Sequence, residues 1–189
     1  EQHLRIALTL EPLDRLTLSR LRLLLSRCAL GRGDVDSCKR ELDQAEKLFQ
    51  TLRDRDGLRD VAHGRAILER VEGRPGAAAI YFQEAIGKLR KDSRLHVIYL
   101  AGLAEAYLIL GKLDAAEAPC AEMMQLAAYS GDTRNIAQSA YCMGLLKFYR
   151  GEYETAERLF RKALALASTF GELRLRLNCE NTLGEVARA

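Results

Sequence analysis

Residues 138–171 read QSAYCMGLLKFYRGEYETAERLFRKALALASTFG. Two stretches of helical periodicity meet across Gly151 and Glu152. Small residues stand at Gly144, Ala156 and Ala163, and bulky ones at Met143, Tyr153 and Phe160. Two helices joined by about 2–4 residues must pack antiparallel. Where their axes come closest only Gly, Ala, Ser or Cys fits, and larger side chains fill the gaps beside them. The stretch therefore predicts a helix–turn–helix hairpin.

The rest of the chain repeats it. Loop glycines at Gly33, Gly73, Gly111 and Gly151 are spaced by 40, 38 and 40 residues. Seven positions before each stands a small residue: Ser26, Ala66, Ala104 and Gly144, with Gly184 continuing the series. Five positions after come Cys38, Ala78, Ala116 and Ala156. Nine after come Leu42, Phe82, Cys120 and Phe160, and twelve after come Ala45, Ala85, Met123 and Ala163. One register accounts for small and large positions along nearly the whole chain. A single hairpin cannot bury its apolar face, so such units stack into a solenoid.

This pattern resembles the tetratricopeptide repeat, in which a bulky residue precedes Leu-Gly or Leu-Ala, and Tyr, a loop Gly, Ala, Phe or Tyr, and Ala follow. Met143-Gly144, Gly151, Tyr153, Ala156, Phe160 and Ala163 carry the likeness, as do Leu103-Ala104, Ala106-Tyr107, Gly111, Leu113 and Ala116. The first two repeats depart from it: Arg65 stands before Ala66 where Leu is usual, and Leu25-Ser26 and Cys38 replace the stronger types. The spacing is also longer than the usual ~34 residues. Long-period arrays of this kind resemble those of bacterial signal-transduction ATPases similar to maltose-regulon activators. The resemblance implies an all-α fold, an α-α superhelix built from antiparallel hairpins. It implies one domain over residues 1–189, with a partial repeat at 1–12, repeats at 13–56, 57–92, 93–132 and 133–171, and a partial repeat or cap at 172–189.

In chain order, Asp14 is a candidate N-cap for a helix over Leu13–Leu30, and Pro12 closes the segment before it. Helices are expected over Val35–Arg53, Leu58–Val71, Gly76–Lys91, Ser93–Leu110 and Asp114–Tyr129. Pro119 lies inside the last of these, where past the first turn it removes a hydrogen bond. A helix after Gly171 reaches the end of the sequence without its mate, as in a fragment of a longer array, although Arg174, Arg176, Asn178, Glu180 and Asn181 would suit a polar cap.

Several function classes are excluded or left without support. The net charge of +3 is too mild to point to nucleic acid or an anionic membrane. No apolar run approaches the ~18–20 residues that span a bilayer, and the first twelve residues are too charged for a signal peptide. Cys28, Cys38, Cys120, Cys142 and Cys179 are odd in number and dispersed, which fits reduced thiols in a cytoplasm. His3, His63 and His96 stand apart, so no zinc pair forms. Gly31-Arg32-Gly33 follows a helix, not a strand, and reads as punctuation rather than a phosphate loop. The reading is non-enzymatic, with no cofactor or metal.

What remains is surface. In tetratricopeptide proteins the first helices of successive hairpins line a concave groove that takes a peptide. By register that groove has Arg20, Leu23 and Arg27; then His63, Ile67 and Arg70; then Ile98, Ala101, Glu105 and Leu108. Gln138, Tyr141, Leu145 and Phe148 follow, and Asn178, Asn181 and Glu185 end it. Tyr141, Leu145 and Phe148 are the aromatic and apolar anchors, while Leu23 and Arg27 depart from the residues that clamp a C-terminal carboxylate. The expected partner is a protein or peptide, with homo-oligomers through open solenoid ends as a further possibility. A sensor segment of a larger bacterial transcription regulator or signalling ATPase is the alternative. A helical-repeat RNA binder is disfavoured by the uneven period and the apolar groove positions.

Overall fold

The computed structural model describes residues 2–9, 13–89 and 95–189. They fold as α1 (Gln2–Thr9), α2 (Arg15–Gly31), α3 (Val35–Leu52), α4 (Arg55–Val71), α5 (Pro75–Gly87), α6 (Leu95–Ile109), α7 (Leu113–Ser130), α8 (Thr133–Tyr149), α9 (Tyr153–Thr169) and α10 (Leu173–Val186). No strand occurs among the described residues. The expectation for Pro12 falls outside them.

Two compact units divide the chain, Glu1–Ser93 and Arg94–Ala189. In the first, α2 packs on α3 and α4 on α5 as hairpins, α3 packs on α4, and α2 lies against α4. In the second, α6 pairs with α7 and α8 with α9, α7 packs on α8, and α10 closes on α9. There α8 touches both α6 and α10, so the first helices of successive hairpins stand side by side.

The turns explain the period. After the hairpin-opening helices, Gly33, Gly73, Gly111 and Gly151 all take positive φ, between 68° and 77°. The next residue then donates its N–H five positions back: Asp34 to Ala29, Arg74 to Glu69, Lys112 to Tyr107 and Glu152 to Lys147, each at 2.9 Å. This is the Schellman closure, and a side chain at the glycine would strain it. Between hairpins, Gly131 and Gly171 also take positive φ, 63° and 69°; Glu172 donates five positions back to Ala167 at 3.2 Å, whereas Asp132 donates to the Ser130 hydroxyl. The equivalent turn after α3 uses Arg53, with φ 52°.

Every position of the register after the loops is buried: Cys38, Leu42 and Ala45; Ala78, Phe82 and Ala85; Ala116, Cys120 and Met123; Ala156, Phe160 and Ala163. A Cβ placed on Gly144 would come within 2.7 Å of the Phe160 ring, so the hairpin α8–α9 needs a glycine there. Two further close approaches tie hairpin to hairpin. A Cβ on Gly57 would meet the Phe49 ring at 2.1 Å, and one on Gly64 would meet Leu42 at 2.8 Å.

Helix ends differ from the expected ones for local reasons. α4 begins at Arg55 because Asp54 caps it, accepting from the Gly57 N–H at 3.0 Å. α5 begins with Pro75 at its first position, where the missing N–H costs nothing. It stops at Gly87, short of Lys91, as Lys88 and Leu89 turn back to Ala85 and Ile86 in tight three-residue closures. Asp14 caps α2 as expected, accepting from Leu16 and Thr17. α7 runs continuously through Pro119, which is buried.

Candidate functional site

The side-by-side first helices present the residues placed in the groove. On α2, Arg20 and Arg27 are exposed, with Leu24 between them on the same stripe. On α4, His63, Ile67 and Arg70 form the matching stripe and are half-buried. The two stripes sense each other. Burial, and then the guanidiniums of Arg27, Arg70 and Arg59, push the His63 imidazole down to about 4, against a smaller opposing pull from Asp60. His63 is therefore neutral at neutral pH. The Arg59 guanidinium is clasped by Asp56 and Asp60 on its own helix.

In the second unit, Ile98 on α6 is half exposed and Glu105 half-buried. Gln138 is half-buried on α8, its amide directed to the Cys142 sulfur at 3.6 Å. Leu145 and Phe148 are half-buried, with the Phe148 ring edge-on to Tyr149 and Tyr153 at 5.6 Å each. Asn178 is half-buried, and Asn181 and Glu185 are exposed on α10.

Tyr141 is corrected as an exposed anchor: it is 7% exposed, its ring tilted against Phe160 at 5.8 Å. Leu23 and Ala101, at the same register position, are buried as well, and so is Leu108, three positions before Gly111. The reason is a shared register. His63 packs on Phe82 as Tyr141 packs on Phe160, the position ten before the loop glycine meeting the one nine after it. That position belongs to the hairpin's own core. Burial, with Glu105 as the next contributor, pushes the Tyr141 hydroxyl up, so it stays protonated.

Several contacts were not legible from the register. Arg65, where the repeat pattern has Leu, bridges Asp43 at 2.8 Å and Glu46 at 2.5 Å on α3 and lies over the Tyr81 ring. Lys39 on α3 reaches Glu72, and Arg150, just after α8, reaches Glu117 and Asp114 on α7. Their only sequence signal is a set of opposite charges 19 to 36 positions apart.

Four of the five cysteines, Cys38, Cys120, Cys142 and Cys179, are buried. Burial pushes Cys120 up to about 12 and Cys179 to about 11, and raises Cys38 and Cys142 as well. Such thiols remain protonated at neutral pH and are poor nucleophiles. Among the described residues no group of three or more His, Cys, Asp or Glu side chains could hold a metal ion, and no helix is long and apolar enough to cross a membrane.

Neither protein-family models nor curated proteins gave a match to the sequence. Among solved structures, the chain is similar to BtubC (BKLC) from P. vanneervenii, with a TM-score of 0.71 and 17% identity. The alignment covers 99% of this chain and 86% of that one. At this identity the likeness is one of fold.

Proposed function

We propose that this chain is a tetratricopeptide-like, non-catalytic interaction module that holds a peptide or protein segment against its first helices. One observation carries the reading. Within each unit the first helices stand side by side, α2 beside α4 and α8 beside α6 and α10, and each keeps a stripe of exposed or half-buried side chains besides its buried ones. Side-by-side helices with mixed charged and apolar stripes suit an extended or helical segment laid across one unit. Arg20 and Arg27 are exposed on the first unit's helices, and Ile98 and Asn181 on the second's.

The reading is tested by selecting peptides from a random dodecapeptide phage library on the immobilised chain and mapping the winners by hydrogen exchange. Protection is expected along α2 and α4 or along α6, α8 and α10. Enrichment of no peptide, or protection confined to α3, α5, α7 and α9, would overturn it.

A further inference from the structure

α10 leaves open the side that α8 covers. It packs on α9 and touches α8, burying Leu175, Cys179 and Thr182. Among the described residues no other helix lies against it. The register identifies the open side. In α8, Ala137, Ala140, Tyr141 and Gly144 are buried, and Phe160 of α9 closes over Tyr141 and Gly144. Forty residues on, the same positions of α10 hold Leu177, Glu180, Asn181 and Gly184. All four are exposed, Leu177 by 48%. A Cβ on Gly184 would meet nothing within 4 Å, where one on Gly144 would meet a ring. This side of α10 is a hairpin interface with one helix in place. The molecule also shows what shape and charge fit such an interface. α9 covers α8 with Phe160 and with Ala156 and Ala163, four positions before the ring and three after it. The residue just before this bulky position also faces the first helix. In the first hairpin it is Glu41, which pairs at 2.8 Å with Arg22 of α2. Arg22 stands at the register position of Ala140 and Glu180. On α10 the sign is therefore reversed, and Glu180 makes no ion pair among the described residues.

On this basis we infer that α10 docks an amphipathic helix of another protein, antiparallel to it, in which Lys or Arg directly precedes an aromatic residue. The ring seats over Gly184 as Phe160 does over Gly144, and the cation meets Glu180 as Glu41 meets Arg22 with the signs exchanged. Small residues four before and three after the ring let the two axes approach. Leu177 and, one turn earlier, the exposed Leu173 supply the apolar flank. An apolar helix face laid along a matching surface is a common mode of peptide recognition, and the ion pair fixes its register. A second copy of this chain fits less well. The residues just before the bulky position in its four second helices are Glu41, Tyr81, Pro119 and Leu159, none of them basic. Glu180 and Gly184 lie outside the groove stripe of Asn178, Asn181 and Glu185, so this docking and the peptide groove stand or fall separately.

The test uses the full chain and fluorescein-labelled peptides of the α9 sequence, Tyr153–Thr169, in which Leu159→Lys places a cation before Phe160. Matched peptides carry Leu159→Glu, or Leu159→Lys together with Phe160→Ala. In fluorescence anisotropy the Lys peptide is expected to bind about tenfold tighter than the Glu peptide and to weaken with added salt. The peptide without the ring should lose most of the affinity. In the chain, Glu180→Lys should reverse the preference, so that the Glu peptide binds tighter. Gly184→Leu fills the seat without a clash in the free chain and should weaken the Lys peptide about tenfold or more, with circular dichroism unchanged. Hydrogen exchange with the Lys peptide should show added protection along α10. No binding of the Lys peptide, a preference unmoved by Glu180→Lys, or full binding to Gly184→Leu would each overturn the inference. Light scattering decides the competing occupant: a dimer of the free chain that Gly184→Leu converts to monomer would assign this side of α10 to a second copy and overturn it as well.

Discussion

Single residues decide how closely these helices approach. The Phe160 ring sits where a Cβ on Gly144 would be, and a buried ring between two helices has little room to yield. Gly144→Ala should therefore cost about 1–3 kcal/mol through overpacking. Gly184, on α10, has nothing within 4 Å of the same added atom. There the exchange to Ala should stabilise by roughly 0.5–1 kcal/mol, because only the backbone entropy of glycine is at stake. Urea midpoints for the two variants should move in opposite directions; movement in the same direction would mean that the Phe160 contact does not set the cost. Arg53 presents the reverse case. Its φ of 52° puts a side chain in the left-handed region that Gly131 and Gly171 occupy at the corresponding turns. Arg53→Gly should raise stability by about 0.5–1 kcal/mol, the relief of strain exceeding the entropy lost. An unchanged or lower midpoint with the same m-value would show that Arg53 is held there by contacts worth more than the strain.

Helices and turns were the most legible level, because their determinants are local. Asp14, Asp54 and Asp132 each stand one residue before a helix and accept from its free N–H groups. Asp132→Ala should loosen the start of α8 and cost about 1 kcal/mol, seen as faster amide exchange at Arg134 and Asn135, the two donors it satisfies. If exchange there is unaltered, the cap contributes nothing in solution. The loop glycines and small residues were equally readable, since each answers to one turn or one axis-to-axis contact. Exposure was not. The sequence period of α8 places Tyr141 on the stripe with Gln138 and Phe148, yet its ring turns into the hairpin onto Phe160, just as His63 turns onto Phe82. Which edge of a stripe is covered depends on the neighbouring helices, and α6 and α10 both flank α8. The end of α5 was misread for a similar reason: helical composition continues past Gly87, while the backbone closes at Lys88 and Leu89. Inter-helix ion pairs such as Arg65 with Asp43 and Glu46 depend on stacking register and leave only a diffuse charge pattern in the sequence.

At the scale of the whole molecule, the two units differ in their titratable interiors, and acid should act on them unequally. His63 in the first unit is held near 4, below its ordinary 6.5, chiefly by burial and then by Arg27. The unfolded chain therefore binds a proton at this site that the folded chain refuses between those two values. Its contribution is fully present above about 6.5 and is lost as pH falls toward 4, amounting to at most about 3 kcal/mol. The corresponding positions of the second unit are Ala101, which does not titrate, and Tyr141, whose raised hydroxyl stays neutral across this range. At lower pH the lowered carboxylates follow: Asp14, Asp34 and Glu72 in the first unit and Glu117 in the second lose their stabilising hydrogen bonds as they protonate. Hydrogen-exchange protection, corrected for intrinsic rates and read on peptides from each unit, should thus fall in residues 13–89 between pH 6.5 and 4 while that of residues 95–189 changes less. His63→Gln should flatten the first unit's response over that interval, whatever it does to absolute stability. A slope that survives His63→Gln, or an equal loss in both units, would place the acid sensitivity elsewhere.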